Sequence, residues 1–134
     1  MKKLLLYILT LVCLSSLPSH AQSKVYRLTI MTAYKDGEAV NKGSVGGDAC
    51  VINERDEKIE LLSSNGGYQD RIFRINNVVE EGDHTKMYTC KMPATGGGYA
   101  TVFIYVDTFF RQIKVVGMEN NPVGIKNYLE YQYK

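Results

Sequence analysis

The sequence predicts an all-β domain: about eight short antiparallel strands in a meander, closing as a small sandwich or an up-and-down barrel. Three observations carry this. Apolar residues alternate with period two from end to end, and no segment sustains the 3.6-residue repeat of a helix. Turn-forming clusters punctuate the chain at short intervals, the pattern of an all-β domain. The connections are nearly all too short for anything but pairing between neighbours.

The first strand runs from Val25 to Tyr34, an alternating segment rich in β-branched and aromatic residues. Lys35 to Asp48 is polar and glycine-rich and reads as the longest irregular segment, a place where loop-borne binding would sit. Ala49 to Asn53 and Lys58 to Ser63 flank Glu54-Arg55-Asp56-Glu57 as a hairpin, and Arg71 to Val79 ends at the acidic turn Glu80-Glu81-Gly82-Asp83. Thr85 to Met92 follows, and Pro93-Ala94-Thr95-Gly96-Gly97-Gly98 punctuates. Tyr99 to Val106 and Phe110 to Val116 form a hairpin around Asp107-Thr108, and Lys126 to Tyr133 closes the set after a break from Gly117 to Gly124.

The N-terminus supplies an address. Met1-Lys2-Lys3 is basic, Leu4 to Leu14 is apolar, and Ser19-His20-Ala21 is a small-x-small cleavage signal, so residues 1–21 read as a secretory signal peptide. The apolar run stops short of the roughly 20 residues that span a bilayer, and Leu11-Val12 ahead of Cys13 lacks the small residue of a lipoprotein signal. The expected mature chain, residues 22–134, is one β domain, periplasmic or secreted, with no transmembrane segment after cleavage.

Cleavage also changes the charge. Without Lys2 and Lys3 the chain carries 14 basic against 14 acidic residues. Neutrality and the lack of any basic run argue against a nucleic-acid partner. Of three cysteines, Cys13 leaves with the signal, and Cys50 and Cys90 remain. Two thiols in an oxidising compartment are expected to pair as a structural disulfide. Their separation does not suit a redox C-x-x-C pair.

Catalytic and metal chemistry find little footing. His84 stands beside Glu80, Glu81 and Asp83, but a five-residue turn rarely aims three or four ligands at one point, so no metal site is expected. Ser44 in Lys42-Gly43-Ser44-Val45-Gly46 lacks the glycine two residues ahead that a nucleophile elbow uses. Gly96-Gly97-Gly98 runs into Tyr99 rather than Lys-Ser/Thr, so it is no phosphate loop. Glu80 and Glu81 are adjacent, and neighbouring strand side chains point opposite ways, unlike a glycosidase pair facing across a cleft. The expectation is a non-enzyme without a cofactor.

The aromatic residues point to binding. Tyr99, Thr101, Phe103 and Tyr105 share one face of their strand, and Ala100, Val102, Ile104 and Val106 share the other. A strand apolar on both faces is covered on both faces. In a sandwich that means the core on one side and a loop, helix or partner on the other; in a barrel, an aromatic-lined interior with an aliphatic outer wall. Leu129, Tyr131 and Tyr133 add a single face at the C-terminus. Tyr99, Phe103, Tyr105, Tyr131 and Tyr133 are therefore the candidate ligand or partner contacts.

The basic start, the cut before Gln22, the short mature chain and its alternating strands resemble the small secreted β-rich proteins of Bacteroidetes, which implies an envelope address and no particular activity. Looser resemblances are to calycin-type barrels and to periplasmic lysozyme inhibitors. Met87-Tyr88-Thr89-Cys90-Lys91 is similar to the Tyr-x-Cys strand of one inhibitor family, although only 44 residues follow Cys90 here, and no functional residue carries over. The expected function is a secreted or periplasmic binding protein for a protein or a small amphipathic ligand. One form is an immunity or inhibitor protein acting on an envelope toxin or hydrolase, and another is a lipocalin-like carrier. A small envelope hydrolase or metal-dependent enzyme is the third alternative.

Overall fold

Period-two alternation produces strands along the eight segments read from it and, among the described residues, no helix. The computed structural model describes residues 23–64, 71–117 and 127–134, so the segment expected as a signal peptide and the expected start of the last strand lie outside it. Nine strands run β1 (Lys24–Lys35), β2 (Glu38–Ser44), β3 (Ala49–Asn53), β4 (Lys58–Leu62), β5 (Arg71–Glu81), β6 (Thr85–Pro93), β7 (Tyr99–Asp107), β8 (Gln112–Gly117) and β9 (Tyr128–Tyr133). All neighbours pair antiparallel, β3 through β9 in sequence order, and β9 returns to β1. The eight strands β1 and β3–β9 thereby close into an up-and-down barrel, which settles the choice between sandwich and barrel.

β1 makes this closure possible by pairing with three strands. Leu28 to Tyr34 pair with β9 on one edge. On the other edge Lys24 to Arg27 pair with β3 and Ile30 to Lys35 pair with β2. β2 and β3 are thus one discontinuous strand, broken by Val45 to Asp48. The break stays bonded to β1: Leu28 donates its N–H to the Asp48 carbonyl at 2.9 Å, and Val45 donates to the Thr29 carbonyl at 3.0 Å. The segment expected as a loop from Lys35 to Asp48 is therefore mostly strand. Asp36 (φ 53°) and Gly37 (φ 84°) form the two-residue turn, whose paired positive φ values match the right-handed twist of a hairpin. β2 is exposed along its whole length, which is why its composition is polar.

Within the break, Gly47 has φ +99°, and a Cβ there would lie 2.7 Å from the Ser64 Oγ and 3.0 Å from its Cβ. Asp48 fixes that neighbour, accepting the Ser64 N–H at 2.9 Å. Gly47→Ala combines a backbone penalty with a close contact and is expected to cost about 1–3 kcal/mol. Gly43→Ala, with nothing within 4 Å of the new carbon, should stay within about 0.5 kcal/mol. Urea midpoints of the two variants measure the difference.

The inward faces of the strands fill the barrel. Ile52, Ile59, Phe73, Tyr88, Ile104 and Ile113 are at most 2 % exposed, alongside Cys50 and Cys90. β7 sends Val102, Ile104 and Val106 inward, and register then turns Phe103 and Tyr105 outward. This corrects the expectation of an aromatic interior behind an aliphatic outer wall. An eight-stranded barrel is just wide enough for side chains to fill. Phe73 and Tyr88 already supply the large inward groups, so β7 contributes branched aliphatics there.

The expected disulfide is also corrected. Cys50 and Cys90 are free thiols, both fully buried. They lie on β3 and β6 with β4 and β5 between them. Three strand spacings amount to roughly 14 Å along the wall, whereas a disulfide needs Cα atoms about 4.4–6.8 Å apart. Both side chains face the shared interior, near enough that Cys90 adds to the raising of the Cys50 thiol, but the sulfurs are not bonded. Burial pushes both thiols up to about 12.

Candidate functional site

The outer face of the barrel is built by cross-strand rows. Register aligns Val79, Met87, Tyr105, Lys114, Glu130 and Thr32 across β5, β6, β7, β8, β9 and β1. The next row sets Thr89 beside Phe103 and Phe103 beside Val116, with Tyr128 facing Tyr34 farther round. These rows make an outer wall that mixes Val79, Met87, Phe103, Tyr105 and Val116 with Lys114, Glu130 and threonines. Across it runs an open groove of about 780 Å3, bordered by Tyr105, Phe110, Val116, Tyr128, Lys114 and Glu81, with Thr85, Asp107 and Gln112 completing its lining.

The groove is held from three sides. Tyr128 stacks on Tyr34 with ring centroids 4.4 Å apart and planes 13° from parallel. Lys114 Nζ lies 5.6 Å above the Tyr128 ring and 3.8 Å from the Glu130 carboxylate. Burial, then the charge of Glu81, raises the Tyr105 phenol, so it stays protonated and able to donate. At the lower end is the turn between β7 and β8. There Asp107 Oδ1 accepts the N–H groups of Phe109 and Phe110, each at 2.9 Å, and Oδ2 accepts the Thr85 hydroxyl at 3.2 Å. These bonds, the Phe110 N–H foremost, lower the Asp107 carboxyl. Thr108 adds a 2.9 Å bond from its N–H to the His84 carbonyl, and Tyr133 donates its hydroxyl to the Asp107 carbonyl at 3.2 Å.

That turn presents two phenylalanines to solvent. Phe109 and Phe110 are 68 % and 66 % exposed, their rings edge to face at 4.9 Å. Large aromatics exposed on a cross-braced turn are already ordered for contact, which lowers the entropy a partner must remove. Asp107→Ala should cost about 1 kcal/mol and leave both turn N–H groups without their acceptor. Asp107→Asn keeps the Oδ1 acceptor. Hydrogen exchange at Phe109 and Phe110 is expected to accelerate in the alanine variant and change little in the asparagine variant.

The five aromatic residues expected at the site divide between the two faces. Phe103 and Tyr105 stand half-buried on the outer wall, Tyr105 in the groove itself, and Tyr99 is 75 % exposed at the start of β7. Tyr131 points inward at 9 % exposure. Tyr133 packs edge-on against Tyr26 with centroids 4.7 Å apart, and reaches the site only through its hydroxyl under the turn. The sequence reading missed Phe109, Phe110, Tyr128, Lys114 and Glu81. Phe110 stands in the turn and not in the strand expected from Phe110 to Val116; the signal for a turn is Asp107, whose short acceptor side chain bonds the backbone N–H groups two and three residues on.

At the ends of the barrel, an open pocket of about 490 Å3 lies beside the β6–β7 turn, bordered by Met92, Pro93, Ala94, Ala100, Thr101 and Gly117. The upper end holds an apolar cavity of about 180 Å3 bordered by Leu28, Met31, Val45, Leu61 and Leu129, below the roughly 300 Å3 at which small-molecule sites begin. At the lower end Glu54 accepts hydrogen bonds from Lys86 Nζ at 2.9 Å and the Tyr88 hydroxyl at 2.8 Å on one carboxylate oxygen. The Lys86 bond, then the Tyr88 bond, lowers the Glu54 carboxyl, and burial, then Glu54, raises the Tyr88 phenol. The arrangement satisfies its own charges and plugs the barrel. His84 lies near this mouth with its ring 5.6 Å from Phe109. Among the described residues no group of three or more His, Cys, Asp or Glu is placed to hold a metal ion, and no helix is long and apolar enough to cross a membrane. Comparison of the chain with protein-family models, with curated proteins and with solved structures gives no match.

Proposed function

We propose that this chain is a secreted or periplasmic, non-enzymatic binding domain that engages a protein through the outer wall of its barrel. The observation that carries the reading is the outward placement of Tyr105, Phe110 and Tyr128 around one groove, with Phe103 on the same outer wall, on a barrel whose interior is already filled. Aromatic residues on an ordered scaffold supply large contact area at low entropy cost. An immunity or inhibitor role toward an envelope toxin or hydrolase is the specific form that suits the signal segment and this surface. A carrier with its ligand inside has less support, because the interior cavity is so small. An enzyme has less still, because His84, Asp83 and Glu80 border a mouth without converging.

The reading is tested by affinity capture from envelope extract with the mature chain and with a Tyr105→Ala/Phe110→Ala variant. Buried aromatic anchors cost 2 kcal/mol or more when truncated, about 30-fold in affinity. A protein retained by the unchanged chain and lost from the variant is the expected result. Identical captured sets from both would count against the outer wall.

A further inference from the structure

We infer that the groove on the outer wall takes a cationic, apolar-flanked peptide segment of its protein partner, with a lysine or arginine seated between Tyr105 and Phe110 against Glu81. This rests on the reading of the outer wall as the binding face and adds the chemistry of what binds there.

Charge is the first ground. The groove is bordered by Glu81, Asp107 and Lys114, and Lys114 is already answered by Glu130 at 3.8 Å. Counting that pair, carboxylates exceed cations by two on a chain whose mature total is neutral. Asp107 spends its oxygens on the turn, so Glu81, at the exposed end of β5, is the carboxylate left facing the groove. An acidic segment would meet repulsion here, and an anionic lipid surface would find too few basic residues to hold it.

The molecule's own use of Lys114 is the second ground. Its ammonium stands over the Tyr128 ring with the Glu130 carboxylate beside it. An aromatic face plus a carboxylate is thus a combination this wall already fills with a cation. Tyr105 and Phe110 with Glu81 repeat the combination across the groove, where Lys114, the cation in the lining, is engaged by Glu130 and the Tyr128 ring. The apolar part of the segment is matched by Val116 and the exposed Phe110 ring. A groove of about 780 Å3 has room for several residues rather than one side chain.

Three blocked pentapeptides, identical in their apolar residues and carrying lysine, glutamine or glutamate at the centre, provide the test on the mature chain. Affinity is read by calorimetry and the site by amide shifts. The lysine peptide should bind about ten-fold more tightly than the glutamate peptide, with shifts at Tyr105 and Phe110. Glu81→Lys, a change at an exposed position, should reverse that order, and Glu60→Lys on β4, across the barrel from β8, should leave it alone. Equal binding of all three peptides at the groove would overturn the inference while leaving the outer-wall reading intact. Shifts at the same residues from self-association, with no peptide binding, would make a second copy of this chain the occupant and overturn it too. No binding and no self-association at millimolar concentration would remove both.

Discussion

Raising the pH from 8 to 10 is expected to strip about 3 kcal/mol from the stability of this barrel. The cause is the pair of interior thiols. In the unfolded chain they ionise near their ordinary value of 9, and in the fold burial pushes both up to about 12. A group whose value is raised by folding contributes its full stability below the unfolded value. It loses that contribution as pH climbs toward the folded one. Each thiol therefore removes about 1.4 kcal/mol per pH unit between 9 and 12, a loss for the two together of about 8 kcal/mol, comparable with the lower part of a small domain's 5–15 kcal/mol. The raised phenols of Tyr88, Tyr26 and Tyr133 act in the same direction above pH 10. Urea unfolding at pH 8, 9 and 10 measures the slope, and Cys50→Ala/Cys90→Ala should flatten it across that range while lowering the plateau. A flat profile in the unchanged chain would mean that the two sulfurs are bonded after all, since a disulfide does not titrate. The same experiment thus sets the compartment argument, which favours pairing, against the geometry of β3 and β6, which opposes it.

Strand positions were legible because period-two alternation is a direct consequence of strand geometry, and each of the eight segments read from it recurs as a strand. The ninth, β2, was hidden by its environment. It covers no core, so Glu38 to Ser44 carry no alternation to read, and only Asp36-Gly37 announces the hairpin. Barrel closure was not legible for a different reason. It depends on β1 being long enough to hold β9 along one edge and β2 with β3 along the other, and pairing partners are not encoded in any local pattern.

The candidate site was legible in part. Two-sided apolarity marked β7 as a strand, yet its faces are too alike in hydrophobicity to say which turns inward, and the outer one is only half-buried at Phe103 and Tyr105. Volume decides that, and volume depends on Phe73 and Tyr88 from other strands. The reading of Leu129, Tyr131 and Tyr133 as one face is also correct, but that face is the inner one. The residue that faces the groove from β9 is Tyr128, one position out of phase with the set chosen. Phe109 and Phe110 escaped because an apolar pair after a turn reads as the start of a strand, unless the bonding of Asp107 is considered.

Two phenylalanine truncations should separate inside from outside by several kcal/mol. Phe73 is 0 % exposed, aligned with Ile59 on β4 and enclosed by the core. Phe73→Ala removes a ring whose space the closed wall cannot collapse to fill, at a cost of about 3–5 kcal/mol. That is a large share of a small domain's total, so the variant should be partly unfolded at 37 °C. Phe73→Leu keeps most of the volume and should cost no more than about 1.5 kcal/mol. Phe103, half-buried on the outer wall between Thr89 and Val116, loses only part of its contact area on truncation. Phe103→Ala is therefore expected to cost about 1 kcal/mol, with partner binding reduced more than folding. Denaturant unfolding of the three variants decides the matter. Equal losses for Phe73→Ala and Phe103→Ala would show that both faces of β7 are core, and the outer wall would then lose its standing as a surface waiting for a partner.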